Sequence, residues 1–151
     1  MSELVKNSVR VLLKETFEGI DGKGSIYIEP KPDSGVLGTL KGLSVEEVSK
    51  KVNGVTIASI TDHIGYYLSG INYILENGKP SKMDWEKSWS IKKVSDREWI
   101  TIIDILENEY NNLMKNLDVV EWDQDNTDDI IAALVHSAYH LGALRQILKL
   151  I

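Results

Sequence analysis

Val135-His136-Ser137-Ala138-Tyr139-His140-Leu141-Gly142-Ala143-Leu144-Arg145-Gln146 is the stretch that decides how this chain is read. At about 100° per residue, His136 and His140 share one helical sector with Ala132, Ala133, Ala143 and Ile147. A separate sector carries Ile130, Leu134, Leu141 and Leu148. A helix apolar on two sides is either central to a core or shared with a second subunit. The alanines leave room around the imidazoles that leucine or phenylalanine would fill. Residues four apart on a helix project side by side, with Cβ atoms roughly 5–6 Å apart. Two imidazoles so placed can grip one metal ion. The chain has three histidines in all, and the third is His63. From a facing helix it would complete a three-point clamp with coordination positions left open, as catalytic metal sites have. The competing reading is a chance pair and an ordinary core histidine.

Working outward, this helix is predicted from an N-cap at Asn126 or Thr127 to about Leu148. Asp128 and Asp129 then fall in its first turn and Arg145 and Lys149 near its end, matching the helix dipole. Three more long helices are predicted upstream. Ser2 to Phe17 shows a three-four repeat of Leu4, Val5, Val9, Leu12, Leu13 and Phe17. Val55 to Glu76 carries His63 in its body and stops at Asn77-Gly78-Lys79-Pro80. Ser95-Asp96-Arg97-Glu98 is a capping box that opens the third, through Trp99, Leu106, Tyr110 and Met114.

Two long connections separate these helices. Gly19 to Gly42 is glycine-rich, contains a possible short strand at Ser25–Glu29, and is a candidate lid. Ser44-Val45-Glu46-Glu47 caps a short helix toward Val52, which Asn53-Gly54 interrupts. Lys79 to Val94 is irregular and carries Trp85 and Trp89. The expectation is a single all-α domain over residues 1–151, an antiparallel four-helix bundle with long crossover loops.

Seventeen basic against twenty-three acidic residues give a net charge of −6 without a basic stripe, which argues against a nucleic-acid partner. No window approaches the roughly 18 apolar residues of a membrane-spanning helix. The first residues lack the apolar run of a signal peptide, so a cytoplasmic protein is expected. There is no cysteine, so any thiol chemistry needs a thiol from another molecule.

Neighbouring chemistries fail on single residues. Zinc proteases need Glu directly after the first histidine of His-x-x-x-His, and Ser137 stands there. Di-iron bundles need Glu three residues before each histidine, where this chain has Ile60, Ala133 and Ser137. No nucleophile elbow or phosphate loop is present. Asp62 points about 100° away from His63 and reads as solvated.

Ser59-Ile60-Thr61-Asp62-His63-Ile64-Gly65-Tyr66-Tyr67, the His-x-x-x-His segment and especially Tyr139-His140-Leu141-Gly142 running into Arg145-Gln146 resemble the DinB/YfiT-like superfamily. Segment order and Trp85-x-x-x-Trp89 fit too, so the resemblance spans essentially the whole chain. It implies a four-helix bundle, commonly a homodimer, with a divalent ion such as nickel or zinc on His63, His136 and His140. Several members of that superfamily transfer low-molecular-weight thiols such as bacillithiol or mycothiol, and others are assigned as metal-dependent hydrolases.

Three neutral imidazoles leave the ion its full charge, which favours a bound thiolate or an acidified water. The leading expectation is therefore transfer of an external thiol to an electrophilic small molecule. A hydrolase and a non-catalytic metal-binding bundle are the alternatives. Tyr67, one turn beyond His63, and Arg145, which suits an anionic group, are the candidates for binding the thiol. Tyr66, Trp85 and Trp89 are weaker candidates, since aromatic side chains more often simply pack.

Overall fold

The computed structural model describes residues 2–22 and 24–151; Met1 and Lys23, the latter inside the glycine-rich segment, lie outside them. The described residues are all-helical: α1 (Ser2–Glu18), α2 (Val36–Leu40), α3 (Val45–Val48), α4 (Ile57–Asn77), a 3-10 turn (Lys87–Trp89), α5 (Asp96–Val119) and α6 (Gln124–Leu148). Helix α4 packs along α5 and α6, and α1 packs against α6 and α5. Leu13, Phe17, Ile57, Ile64, Leu68, Leu106, Leu113, Leu117, Ile130 and Leu144 are fully buried where these helices meet. Each such side chain contributes about 1.5–3 kcal/mol relative to exposure. Among the described residues no helix is long and apolar enough to cross a membrane.

Local chemistry sets most boundaries. Ser44 with Glu47, and Ser95 with Glu98, form the expected reciprocal capping boxes of α3 and α5. Helix α4 starts on an unforeseen box, in which Thr56 and Ser59 satisfy each other's backbone N–H groups at 3.0 Å. It ends at Gly78, whose φ of 67° lets its N–H reach the Ile74 carbonyl at 2.7 Å. Asn53-Gly54 makes a two-residue turn instead of merely breaking a helix. Val52 and Val55 exchange N–H···O bonds of 2.8 and 3.1 Å across it, with φ 48° at Asn53 and 92° at Gly54.

Three expectations are corrected. Helix α6 begins at Gln124, capped by Asp123, whose carboxylate accepts the Asn126 N–H at 2.9 Å; neither Asn126 nor Thr127 is the cap. Its first turn holds Asp125, while Asp128 and Asp129 lie further along. Ser25–Glu29 is not a strand. Its backbone wraps the buried carboxylate of Glu15 on α1, which accepts N–H bonds from Ile26, Tyr27 and Ile28 at 2.8–3.2 Å and the Ser25 hydroxyl at 2.8 Å. The glycine-rich segment also contains α2, which the sequence reading did not predict. Its glycines serve close approach: a Cβ on Gly35 would lie 2.5 Å from the Gly19 nitrogen, and one on Gly38 2.4 Å from the Asp33 Cα.

Both apolar sectors predicted on α6 turn inward. Ile130, Ala133, Leu134, Leu141 and Ile147 are buried, and Ala132, Ala143 and Leu148 partly so. The apolar residues that face solvent are a third set, Ile131, Val135 and Tyr139.

Candidate metal centre

Helix α4 carries His63 and α6 carries His136 and His140; because these helices pack together, the three imidazoles converge. One ring nitrogen from each lies within 4.8 Å of the other two. The ring centroids of His63 stand 4.9 Å from His136 and 5.0 Å from His140, and the pair on α6 is 4.5 Å apart. His63 Nε2 and His136 Nε2 face each other at 3.0 Å. Two nitrogens bound to one tetrahedral zinc at 2.0–2.1 Å stand about 3.3 Å apart, so a small outward shift of the rings would admit a shared ion.

The tautomer of His63 follows from its partner. Ser88, in the 3-10 turn, donates its one hydroxyl proton to the Trp85 carbonyl at 2.8 Å. The same oxygen lies 3.0 Å from His63 Nδ1, and both contacts are hydrogen bonds when Nδ1 carries the proton and donates. The Nε2 lone pair then points at the cluster, the arrangement in which ligating histidines are usually braced. His136 has no such brace: its Nδ1 is buried without a hydrogen-bond partner among the described residues.

Electrostatics keep the rings neutral. Burial, then the neighbouring His140 and His63, push His136 down to about 3. Burial, then His63, push His140 down to about 4, and burial lowers His63 as well. A neutral imidazole is the form that binds metal. Three ring nitrogens gathered in a largely buried place, with His136 Nδ1 unpartnered among the described residues, fit a divalent cation.

Aromatic rings wall the cluster. Tyr67 lies flat on His136, with centroids 3.8 Å apart and planes 12° from parallel. Trp89 lies on His63 at 4.0 Å and 24°, and Trp85 meets the same ring edge-on at 6.4 Å. Tyr66 accepts the Asp84 N–H at 2.7 Å, which ties the connection after α4 to the helix. The connection against the histidines is therefore residues 79–94, not the glycine-rich segment expected as a lid.

Other candidates sit differently. Arg145 forms an ion pair with Glu29 and donates to Thr39 Oγ1 at 3.3 Å, joining α6 to the first connection. Asp62 is partly buried instead of solvated, and desolvation raises its carboxyl above the ordinary range. Ser88 was missed by sequence reasoning. The only signal for it is a small polar residue between two tryptophans in a long connection, which is weak.

No protein-family model, curated protein or solved structure matches the chain.

Proposed function

We propose that His63, His136 and His140 hold one divalent ion, zinc or nickel by ligand type, and that the chain is a DinB/YfiT-like four-helix bundle acting as a metal-dependent thiol transferase. The observation that carries the metal reading is the approach of three neutral ring nitrogens to within 4.8 Å. The ion, when bound, supplies Lewis acidity that favours the thiolate form of a small thiol. The thiol's proton leaves to solvent. Its sulfur forms the new bond to an electrophilic carbon, and the leaving group departs with the bonding pair. Ser88 holds the His63 tautomer throughout, and Tyr67 and Trp89 fix two of the rings by stacking. Trp85 and Trp89, 47% and 39% exposed, offer an apolar approach that suits an electrophile better than bulk water.

The exposed stripe of Ile131, Val135 and Tyr139 on α6 supports a homodimer through that helix. Tyr139 meets His140 edge-on at 5.0 Å, so such an interface would border the site.

Metal content by plasma mass spectrometry tests the first step. About one ion per chain is expected in the wild type and none in His63→Ala or His140→Ala. Metal at a hundredfold over its Kd should stabilise the wild type by about 2.7 kcal/mol and leave His140→Ala unmoved. A metal-dependent thiol panel with monochlorobimane then tests transfer. No turnover with any thiol in the loaded protein sinks the transferase reading and leaves a metal-binding bundle.

A further inference from the structure

Beside the histidines lies a second feature that the metal reading does not use. A cavity of about 350 Å³ opens between α4, the N-terminal half of α6 and residues 80–85. That is the lower end of the size range of small-molecule sites. Ile71, Ile74 and Met83 make it apolar, Tyr67 and Trp85 give it two aromatic walls, and Asp129 is the one charged residue among the described residues that line it. Gly70 lets the Met83 side chain lie against the α4 backbone; a Cβ there would meet Met83 Cε at 2.8 Å.

The cavity adjoins the centre through shared side chains. Tyr67 lines it and is the ring stacked on His136. Trp85 lines it and meets both Tyr67, at 5.9 Å, and His63, at 6.4 Å. None of the three histidines lines the cavity; Tyr67 and Trp85 are the walls it shares with the centre.

Asp129 decides what kind of molecule. It is partly buried and makes no hydrogen bond or ion pair among the described residues. Burial raises its carboxyl above the ordinary range, and the neighbouring Asp125 and Asp128 add to the rise. Among the described residues no lysine or arginine lines the cavity. A carboxylate without a counter-charge, in a cavity also lined by two aromatic side chains, favours a cation by Coulomb attraction, with cation–π contact available where a ring face is open. An anion would meet repulsion from Asp129 in the wall.

We propose that this cavity binds the apolar, ammonium-bearing part of the substrate, with Asp129 as counter-charge and Tyr67 and Trp85 as walls, so that the proposed transferase acts on hydrophobic amines. The assignment as substrate site rests on the metal-centre reading, whereas the binding itself does not.

The experiment titrates metal-free protein with 2-phenylethylammonium, 2-phenylethanol and 3-phenylpropionate and follows the Gly70 amide by heteronuclear NMR. The ammonium is expected to bind about tenfold more tightly than the alcohol, and the carboxylate to leave Gly70 unmoved. Asp129→Asn removes charge at nearly constant volume and should bring ammonium and alcohol level. Trp85→Ala, at a half-exposed position, should weaken both without levelling them, which provides a second test if Asp129→Asn folds poorly. Equal binding of alcohol and ammonium by the wild type, or no shift of Gly70 with any probe, overturns the proposal. His140→Ala should keep the ammonium preference while losing metal. Amine binding in a wild type that takes up no metal would thus sink the metal reading alone.

Discussion

The two long connections of this protein are held down by opposite means. The first, between α1 and α4, is fastened by a buried carboxylate: Glu15 takes three backbone N–H groups and a hydroxyl from residues 25–28. The second, between α4 and α5, is fastened at its middle by the candidate centre itself, through Ser88 on His63 Nδ1 and Trp89 on the His63 ring, beside the Asp84 N–H bond to Tyr66. One anchor is independent of any ligand. The other is built from the groups a ligand would bind, so occupancy of the histidines should be felt in residues 79–94 and hardly in residues 19–42.

The largest expected effect breaks the first anchor. Glu15→Ala leaves several backbone donors without their acceptor and should destabilise the protein by about 3 kcal/mol in denaturant melts. Metal uptake should be unchanged. A variant that loses metal along with stability would show that the two connections are not separate.

Acid separates the anchors next. His136 and His140 sit at about 3 and 4 when folded, below an ordinary 6.5. Stability from their neutral state is therefore complete above about pH 6.5 and drains away as pH falls toward those folded values. For Glu15, burial raises the carboxyl and the hydrogen bonds to Tyr27, Ile26, Ile28 and Ser25 outweigh it, leaving it below its ordinary 4.5. Its contribution is present above that value and is lost only as pH falls through the lower one. In denaturant melts of metal-free protein across pH, stability should begin to fall below about pH 6.5, and a stability that stays level down to about pH 4.5 would contradict the neutral, buried state of these imidazoles.

Ser88→Ala is the next step down. It removes the acceptor of the His63 Nδ1 proton and should weaken metal binding about 10–100-fold, as loss of an outer partner of a ligating histidine does. A calorimetric titration with zinc reads it. Smallest of all is Arg145→Gln, which releases Glu29 from an ion pair open to solvent on both sides. A loss of at most about 1 kcal/mol is expected, with zinc affinity unmoved.

What was legible in the sequence was what spacing alone encodes. His136 and His140 had to share a helical face, and Ser44/Glu47 and Ser95/Glu98 had to cap helices, because each partner lies within one turn of the other. The α4 cap escaped because Ser59 fills the place where glutamate or glutamine is the usual signal. The α6 start escaped because Asp123, Asn126 and Thr127 are all competent caps within five residues, and local chemistry does not rank them. Ser25–Glu29 reads as a strand by alternation. Its donors find a carboxylate ten or more residues away in place of a neighbouring strand. Ser88 was out of reach for the same reason, since its partner lies 25 positions back on another helix. The cavity around Asp129 joins three separated segments and has no sequence signature.

The separation of partners along the chain also sets an order in time. Glu15 meets residues only 10–13 positions ahead, whereas His63 meets His136 across 73. Closing the shorter loop costs less chain entropy, and local contacts form before distant ones. The histidines are therefore expected to come together late. An ion that binds only the finished cluster arrives too late to hasten folding. It should act on the reverse rate instead, slowing unfolding of the loaded protein while leaving the refolding rate nearly untouched.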